Sequence, residues 1–234
     1  MAPTFQKLLL AGLAGMAVGG AAVGGFHALR GDADMKAQVR EALLAQPEMI
    51  PEAMERLQQR ESAAVVSQHR AALETPFASA WAGAADGDVV LVEFFDYACG
   101  FCRTSNPAVD RLLAEDPRLK VVWRELPVLG PDSEQAAIAS LAAAQTGKFK
   151  QFHEALFAKG RLTAAAIAST RAAVGLPEPE LTPAFRSEIE KNIELARAIR
   201  ASGTPTFVVG DQVLQGAVGY EALKQAVADA RAGA

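Results

Sequence analysis

The sequence predicts an α/β fold built around a strand–helix–strand unit, and three observations support it. The runs "VVLVEFF" (89–95) and "LKVVWREL" (119–126) are rich in β-branched, aromatic and leucine residues, which is typical of strands buried on both faces. A helical segment at 106–115 separates them, so the two strands are expected to lie parallel with a right-handed crossover. A helical stretch at about 132–201 precedes "TFVVGDQVLQG", which predicts a β-hairpin turning at its central Gly-Asp, and a helix at 220–231 ends the chain.

Composition and charge restrict the class of protein. The chain has 234 residues, half of them hydrophobic, which suits one or two domains with a substantial core. The net charge is −4, the isoelectric point is about 5.5, and no basic stripe is present, so a nucleic-acid partner is not expected. The two cysteines alone do not indicate a compartment.

The first thirty residues predict export. No charged residue lies between Leu8 and Phe26, and Lys7 precedes this stretch. One interpretation is a cleaved signal peptide, because "AVG" offers small residues at a cleavage site. The other is an uncleaved anchor, because the stretch is just long enough to span a bilayer. Residues 1–30 are therefore a signal peptide or a membrane anchor, and both send the remainder into a compartment where disulfides form.

Residues 31–75 predict a helical stalk. Apolar residues recur at helical spacing while the opposite faces are charged, and Pro47 and Pro51 are expected to interrupt the helix. The apolar positions are Val39, Leu43, Leu44, Met49, Ile50, Met54 and Leu57. A helical segment with so narrow an apolar face cannot build a core alone. It therefore packs either on the body of its own chain or on copies of itself. We favour self-association, which makes 31–75 an oligomerisation stalk and leaves 76–234 as the α/β domain.

The only two cysteines, Cys99 and Cys102, form a Cys-x-x-Cys motif where the first buried strand ends. At or just before a helix N-terminus, free amide groups and the helix dipole stabilise an anion, which favours a thiolate nucleophile at Cys99. A disulfide that spans two residues removes little chain entropy, so it would be a poor structural staple. A zinc site lacks a second pair of ligands, and the three histidines are scattered. The motif therefore indicates redox chemistry.

Glu93 is an acid inside an otherwise apolar strand, six residues before Cys99. Burial of a carboxylate is costly and raises its pKa. If Glu93 points beneath the motif, it can accept and return the proton of Cys102. The alternative is that it faces a water-filled edge or makes only a local hydrogen bond.

A third motif, "SGTPTFVVG" (202–210), places Thr204 and Pro205 directly before a strand. Proline suits the start of a strand, and an X-Pro bond at this point also suits a cis peptide.

Together these motifs resemble the DsbA-type thioredoxin fold with an inserted helical subdomain. Within that fold the chain resembles the ScsC-like and Com1-like periplasmic thiol–disulfide proteins. The resemblance rests on "VEFFDYACGFC", Pro107, the helical insertion and "GTPTFVVG", and it covers roughly Val89 to the C-terminus. The stalk, with its "QPEMI" segment, also resembles the N-terminal helical segment of that group.

The resemblance implies a role for each motif residue. Cys99 would be the attacking cysteine, Cys102 the resolving cysteine and Glu93 the buried acid, with no metal and no cofactor. Pro205 would be a cis-proline, preceded by Thr204, in a loop that lies beside the cysteines and offers backbone groups to an extended substrate.

The residues between the cysteines, Gly100 and Phe101, bear on the direction of the reaction and on substrate binding. Strong oxidases of this fold carry a histidine there, whereas Gly-aromatic pairs with a threonine before the cis-proline resemble the isomerases. The resemblance therefore implies a periplasmic disulfide isomerase or reductase that acts on misoxidised exported proteins. It also implies a membrane redox partner and a homo-oligomer, a trimer by family resemblance. The alternatives are a dithiol oxidase and, in another class, a Cu(I)-binding protein that uses the same cysteines.

Overall fold

A computed structural model describes residues 35–233, and its strands form one five-stranded sheet. The strand order is β1-β3-β2-β4-β5; β2 and β3 are parallel and the other neighbours are antiparallel. The strands are β1 (Trp81–Gly83), β2 (Val89–Phe95), β3 (Leu119–Glu125), β4 (Thr206–Val209) and β5 (Gln212–Gln215).

The helices are α1 (35–45), α2 (Met49–Glu74), α3 (Gly100–Glu115), α4 (Pro131–Gln145), α5 (Phe149–Ala158), α6 (Ala164–Ala173), α7 (Pro183–Ala198) and α8 (Gly219–Ala232). Both faces of the sheet are covered, one by α3, α4, α5 and α8 and the other by the second part of α2 and α7. The helices α4 to α7 lie between β3 and β4 and form the helical insertion. This arrangement is the thioredoxin fold of the DsbA type that the sequence predicted.

Successive side chains of β2 point to opposite faces of the sheet and belong to two hydrophobic clusters. Leu91 and Phe95 belong to the cluster formed with α3, α4, α5 and α8, whereas Val92 and Phe94 belong to the cluster formed with α2 and α7. Glu93 has the same parity as Leu91 and Phe95, so its carboxyl points to the side that carries the cysteines. The strand thus places one buried acid in the layer that holds the cysteines.

The predicted strands agree closely with the structure, and the helix between them begins earlier than expected. We expected a helix at 106–115, but α3 begins at Gly100 because Cys99 caps it. Pro107 lies inside the helix, where its missing N–H removes one intrahelical hydrogen bond. The short strand β1, which pairs with β3, was not predicted, because three residues are too few to show alternation.

The boundary of the stalk also differs from the prediction. The chain divides into two compact units at Leu57 and Gln58, not at residue 75. The second part of α2 belongs to the α/β unit, because Val66 and Leu73 are each 1% exposed in the cluster with β2 and α7. The buried guanidinium of Arg124 donates to the carbonyl oxygens of Leu73 (2.9 Å), Thr75 (2.6 Å) and Ala72 at the end of α2.

The first unit, in its described part, consists of α1 and the first part of α2. Helix α1 ends at residue 45, just before the break predicted at Pro47, and Pro51 lies in the first turn of α2. Most of the apolar positions on these helices are exposed: Met35, Val39, Leu44, Met49, Ile50, Met54 and Leu57. The predicted signal peptide or anchor at 1–30 lies outside the described residues. Within residues 35–233, none of the helices combines the length and the apolar character that a bilayer crossing requires.

Candidate redox site

Cys99 is the N-cap residue of α3, in extended backbone conformation. Its sulfur accepts a hydrogen bond from the backbone N–H of Cys102 (3.3 Å), and its thiol donates to the carbonyl oxygen of Thr204 (3.2 Å). Cys99 is 6% exposed, whereas Cys102 is completely buried, and the two thiols are not bonded to each other. The helix N-terminus therefore presents an amide group to the sulfur that is closer to solvent, which is the arrangement a nucleophilic thiolate needs.

Cys102 differs from Cys99 in its electrostatics. Burial raises the pKa of the Cys102 thiol well above its ordinary range, and the negative charge of Glu93 raises it further. Cys102 therefore remains a thiol at neutral pH and needs a base before it can attack a disulfide.

Glu93 is completely buried on β2. Its Oε2 accepts a hydrogen bond from the indole N–H of Trp123 on the neighbouring strand (3.0 Å), and its Oε1 has no hydrogen-bond partner. Burial raises the pKa of Glu93 to about 8, although the bond from Trp123 acts in the opposite direction. A carboxyl group with this pKa exchanges its proton readily near neutral pH, as a general base requires.

The Thr204–Pro205 peptide bond is cis, and its loop lies against the cysteines. Pairing of β4 with β2 fixes this position, because Thr206 lies opposite Phe94. Gln215 of β5 holds the loop: its side-chain oxygen accepts hydrogen bonds from the hydroxyl of Thr206 (3.0 Å) and from the backbone of Ser202 (3.0 Å). Sequence reasoning missed Gln215, because only the register of the hairpin brings it to this loop.

An apolar rim borders the cysteines. Phe101 is 69% exposed, and Val128 and Leu129, which follow β3, are about half exposed. The carboxylate of Asp96 joins the two segments, because it accepts hydrogen bonds from the backbone N–H groups of Ala98 (2.8 Å), Val128 (2.9 Å) and Leu129 (3.1 Å). The signal that could have identified Asp96 is its position as the first polar residue after a buried strand.

Sequence reasoning also missed a second buried polar network, which joins Tyr97 to β3, α4 and α5. The hydroxyl of Ser140 donates to Glu125 (2.7 Å) and lies 2.9 Å from the hydroxyl of Tyr97, which is 3.3 Å from Nδ1 of His153. Burial raises the pKa of Glu125 to about 7 and lowers that of His153 to about 3. His153 is therefore neutral, and Tyr97 is fixed two residues before Cys99.

The structure brings the predicted site residues into one region. Cys99, Cys102 and the Thr204–Pro205 loop are in contact, Glu93 acts on Cys102 from the strand below, and Gly100 and Phe101 form the exposed first turn of α3. A side chain at Gly100 would have room, since the nearest atom to its added Cβ is 3.8 Å away. Within residues 35–233 no group of three or more His, Cys, Asp or Glu side chains is placed to hold a metal ion.

Comparison with protein families gives two matches. Residues 90–228 match the family described as DSBA-like thioredoxin domain. Residues 33–64 match the family described as copper resistance protein ScsC N-terminal domain. The first match covers more than half of the chain and includes the cysteines, the acid and the proline loop.

The chain is also similar to individual known proteins. A linker-deletion mutant of ScsC from Proteus mirabilis is 29% identical, with a TM-score of 0.71 over 87% of this chain and 96% of that chain. Disulfide bond formation protein D from Bacillus subtilis is 27% identical over 62% of this chain and 73% of its own length. The Na(+)/H(+) antiporter NhaA 1 from Salinispora arenicola is 31% identical over 64% of this chain and 24% of its own length. The chain thus spans about a quarter of the length of the antiporter relatives that it matches.

Proposed function

Because the chain belongs to the DSBA-like thioredoxin domain family, we propose that it is a thiol–disulfide oxidoreductase that isomerises or reduces disulfides of exported proteins. The observation that carries this proposal is the contrast between the two cysteines. Cys99 caps a helix next to the Thr204 carbonyl, whereas Cys102 is a fully buried thiol above the raised-pKa acid Glu93.

The chemistry begins at Cys99. Its thiolate attacks one sulfur of a client disulfide; that S–S bond breaks, the second client sulfur leaves as a thiolate, and a mixed disulfide forms. For isomerisation, another client thiolate attacks the mixed disulfide, so Cys99 is regenerated and no net electrons are transferred. For reduction, Glu93 takes the proton of Cys102, and the resulting thiolate attacks the sulfur of Cys99. The client leaves reduced, the Cys99–Cys102 disulfide forms, and a dithiol partner in the membrane restores the reduced pair.

The isomerase direction is favoured over the oxidase direction by the residues around the nucleophile. Neither Gly100 nor Phe101 carries a charge or a histidine that would stabilise the reduced thiolate of a strong oxidant. The exposed ring of Phe101 and the neighbouring apolar rim suit the exposed hydrophobic segments of a misfolded client.

The stalk is proposed to assemble the protein into a trimer. The exposed apolar residues of α1 and the first part of α2, together with the match of residues 33–64 to an ScsC N-terminal domain, support self-association. Burial of each large side chain in such an interface would contribute roughly 1.5–3 kcal/mol. An oligomer would gather several cysteine pairs around one client. Export to the periplasm is supported by the uncharged stretch from Leu8 to Phe26.

The test uses the protein in both redox states. The reduced protein should accelerate refolding of a scrambled, fully oxidised substrate. The protein oxidised to its Cys99–Cys102 disulfide, added in equimolar amount to a reduced, unfolded substrate, should transfer that disulfide only slowly. Equilibration of the cysteine pair with glutathione should give a reduction potential below that of strong oxidases. Rapid oxidation of the reduced substrate with no gain on the scrambled one would replace this proposal by the oxidase alternative.

A copper-binding role is not favoured, because the second thiol is buried and holds its proton. Such a role predicts that the reduced protein retains one Cu(I) per chain through gel filtration against a competing chelator.

A further inference from the structure

We propose that Asp110 and Lys150 form a positioning pair that sets the charge state of Glu93 and thereby the rate at which Cys102 is deprotonated. This inference rests on the proposed function, in which Glu93 accepts the proton of Cys102. Neither residue touches the cysteines, so both would act through Glu93.

The pair lies directly behind the indole that binds Glu93. Lys150 on α5 forms ion pairs with Asp110 on α3 (2.6 Å) and with Glu154 on its own helix (3.0 Å). The ammonium group of Lys150 lies 5.0 Å from the centre of the Trp123 ring, and the N–H of that ring donates to Glu93. A chain of contacts therefore runs from a surface ion pair through one aromatic ring to the buried acid.

The two charges and the indole of Trp123 line one small cleft, which has space for roughly one water. Its lining residues are Asn106, Val109, Asp110, Trp123, Lys150, His153 and Glu154. Because the buried ring of Trp123 lies between Lys150 and Glu93, the charge of Lys150 acts on Glu93 more strongly than it would across bulk water.

The two charges act on Glu93 in opposite directions. Asp110 raises the pKa of Glu93 and Lys150 lowers it, while burial remains the largest cause of the shift. His153 is neutral at the pH of the reaction, because burial and Lys150 lower its pKa to about 3. The titratable and charged groups around Glu93 and the pair are Tyr97, Cys102, Asp110, Lys150, His153 and Glu154. In the intact pair the two charges have opposite effects on the pKa of Glu93. Removal of either charge leaves the effect of the other uncompensated.

This opposition gives predictions of opposite sign. Lys150→Met should make Glu93 harder to ionise, so the pH profile of the Cys102 step should move to higher pH and the rate at pH 7 should fall. Asp110→Asn should move the profile to lower pH and increase that rate. Lys150 is one-third exposed and Asp110 half exposed, so solvent screening limits each effect to about threefold in rate.

The experiment uses the full chain and one defined step. Cys99 is loaded as a mixed disulfide with glutathione, and the release of glutathione by Cys102 is followed from pH 5 to pH 10. Glu115→Gln and Lys224→Met are matched controls, because they remove the same charges from exposed positions on α3 and α8. Carboxyl ¹³C NMR of Glu93 provides a second readout that does not depend on activity. Each charge variant is also made in a Glu93→Gln background.

Opposite shifts for Lys150→Met and Asp110→Asn, absent from both controls and lost in the Glu93→Gln background, would establish the positioning pair. Shifts of the same sign, or shifts that persist without the Glu93 carboxyl, would overturn it. If Glu93→Gln removes the pH dependence but the pair variants match the wild type, the inference fails and the proposed proton acceptor stands. If Glu93→Gln leaves the profile unchanged, both fail.

Discussion

The stability of the reduced Glu93→Gln variant relative to wild type should increase as the pH rises. The carboxyl group is completely buried, one of its oxygens has no partner, and its only hydrogen bond comes from Trp123. Glutamine preserves the shape and can still accept the Trp123 bond. It cannot ionise, so it removes the cost of a buried negative charge.

The magnitude follows from the pKa of Glu93, which burial raises from an ordinary 4.5 to about 8. Between these values the unfolded chain is ionised and the folded protein is protonated, so the folded state loses stability as the pH rises. At about 1.4 kcal/mol per pKa unit, this cost is about 1 kcal/mol at pH 5, about 3 at pH 7 and about 5 at pH 9. The free energy of unfolding of Glu93→Gln relative to wild type should therefore increase by about 4 kcal/mol from pH 5 to pH 9.

The assay is urea denaturation of both reduced proteins at pH 5, 7 and 9. The new amide can leave a buried N–H group unpaired at a cost of about 1–3 kcal/mol, but that cost does not depend on pH and cancels in the comparison across pH. A difference between variant and wild type that stays constant from pH 5 to pH 9 would refute the reasoning, because it would mean that Glu93 does not titrate in this range.

Two further predictions concern the cysteines and the buried arginine. Cys102→Ala should accumulate mixed disulfides with clients on non-reducing gels, whereas Cys99→Ser should form none; trapping by the serine variant instead would mean that the roles are reversed. Arg124→Met should lower the free energy of unfolding by roughly 3–5 kcal/mol, because it leaves Glu188 without its buried partner. Addition of Glu188→Gln should restore part of this loss. Equal stability of the single variant and wild type would contradict the prediction.

The prediction of the central strand succeeded because its signal is local. The run at 89–95 matches β2 residue for residue, because a central strand buried on both faces must be continuously apolar. Glu93 stood out for the same reason, as the one charged residue in that run. The Cys-x-x-Cys motif and the Thr204–Pro205 pair needed only their positions next to a strand.

The residues that the sequence did not reveal depend on contacts between distant segments. Glu125 and Ser140 form a buried bond only because β3 and α4 pack together, and nothing near either residue signals it. Trp123 would pass as an ordinary core residue, but its register opposite Glu93 makes it the donor to the acid. Asp110 and Lys150 are forty residues apart, and each would pass as a solvated helix residue until the fold joins them.

The boundary of the stalk is the case in which the local pattern was misleading, and it leads to a prediction about truncation. Deletion of residues 1–57 should leave the α/β unit folded, because the chain divides there. Deletion of 1–75 also removes Val66 and Leu73, whose burial contributes roughly 1.5–3 kcal/mol each, and the carbonyl oxygens that bind Arg124. These losses are a large part of the 5–15 kcal/mol that stabilises a typical domain. Urea denaturation should therefore show a cooperative transition at lower denaturant for the 1–75 deletion, or none at all. Equal midpoints for the two truncations would mean that the second part of α2 does not belong to the folded unit.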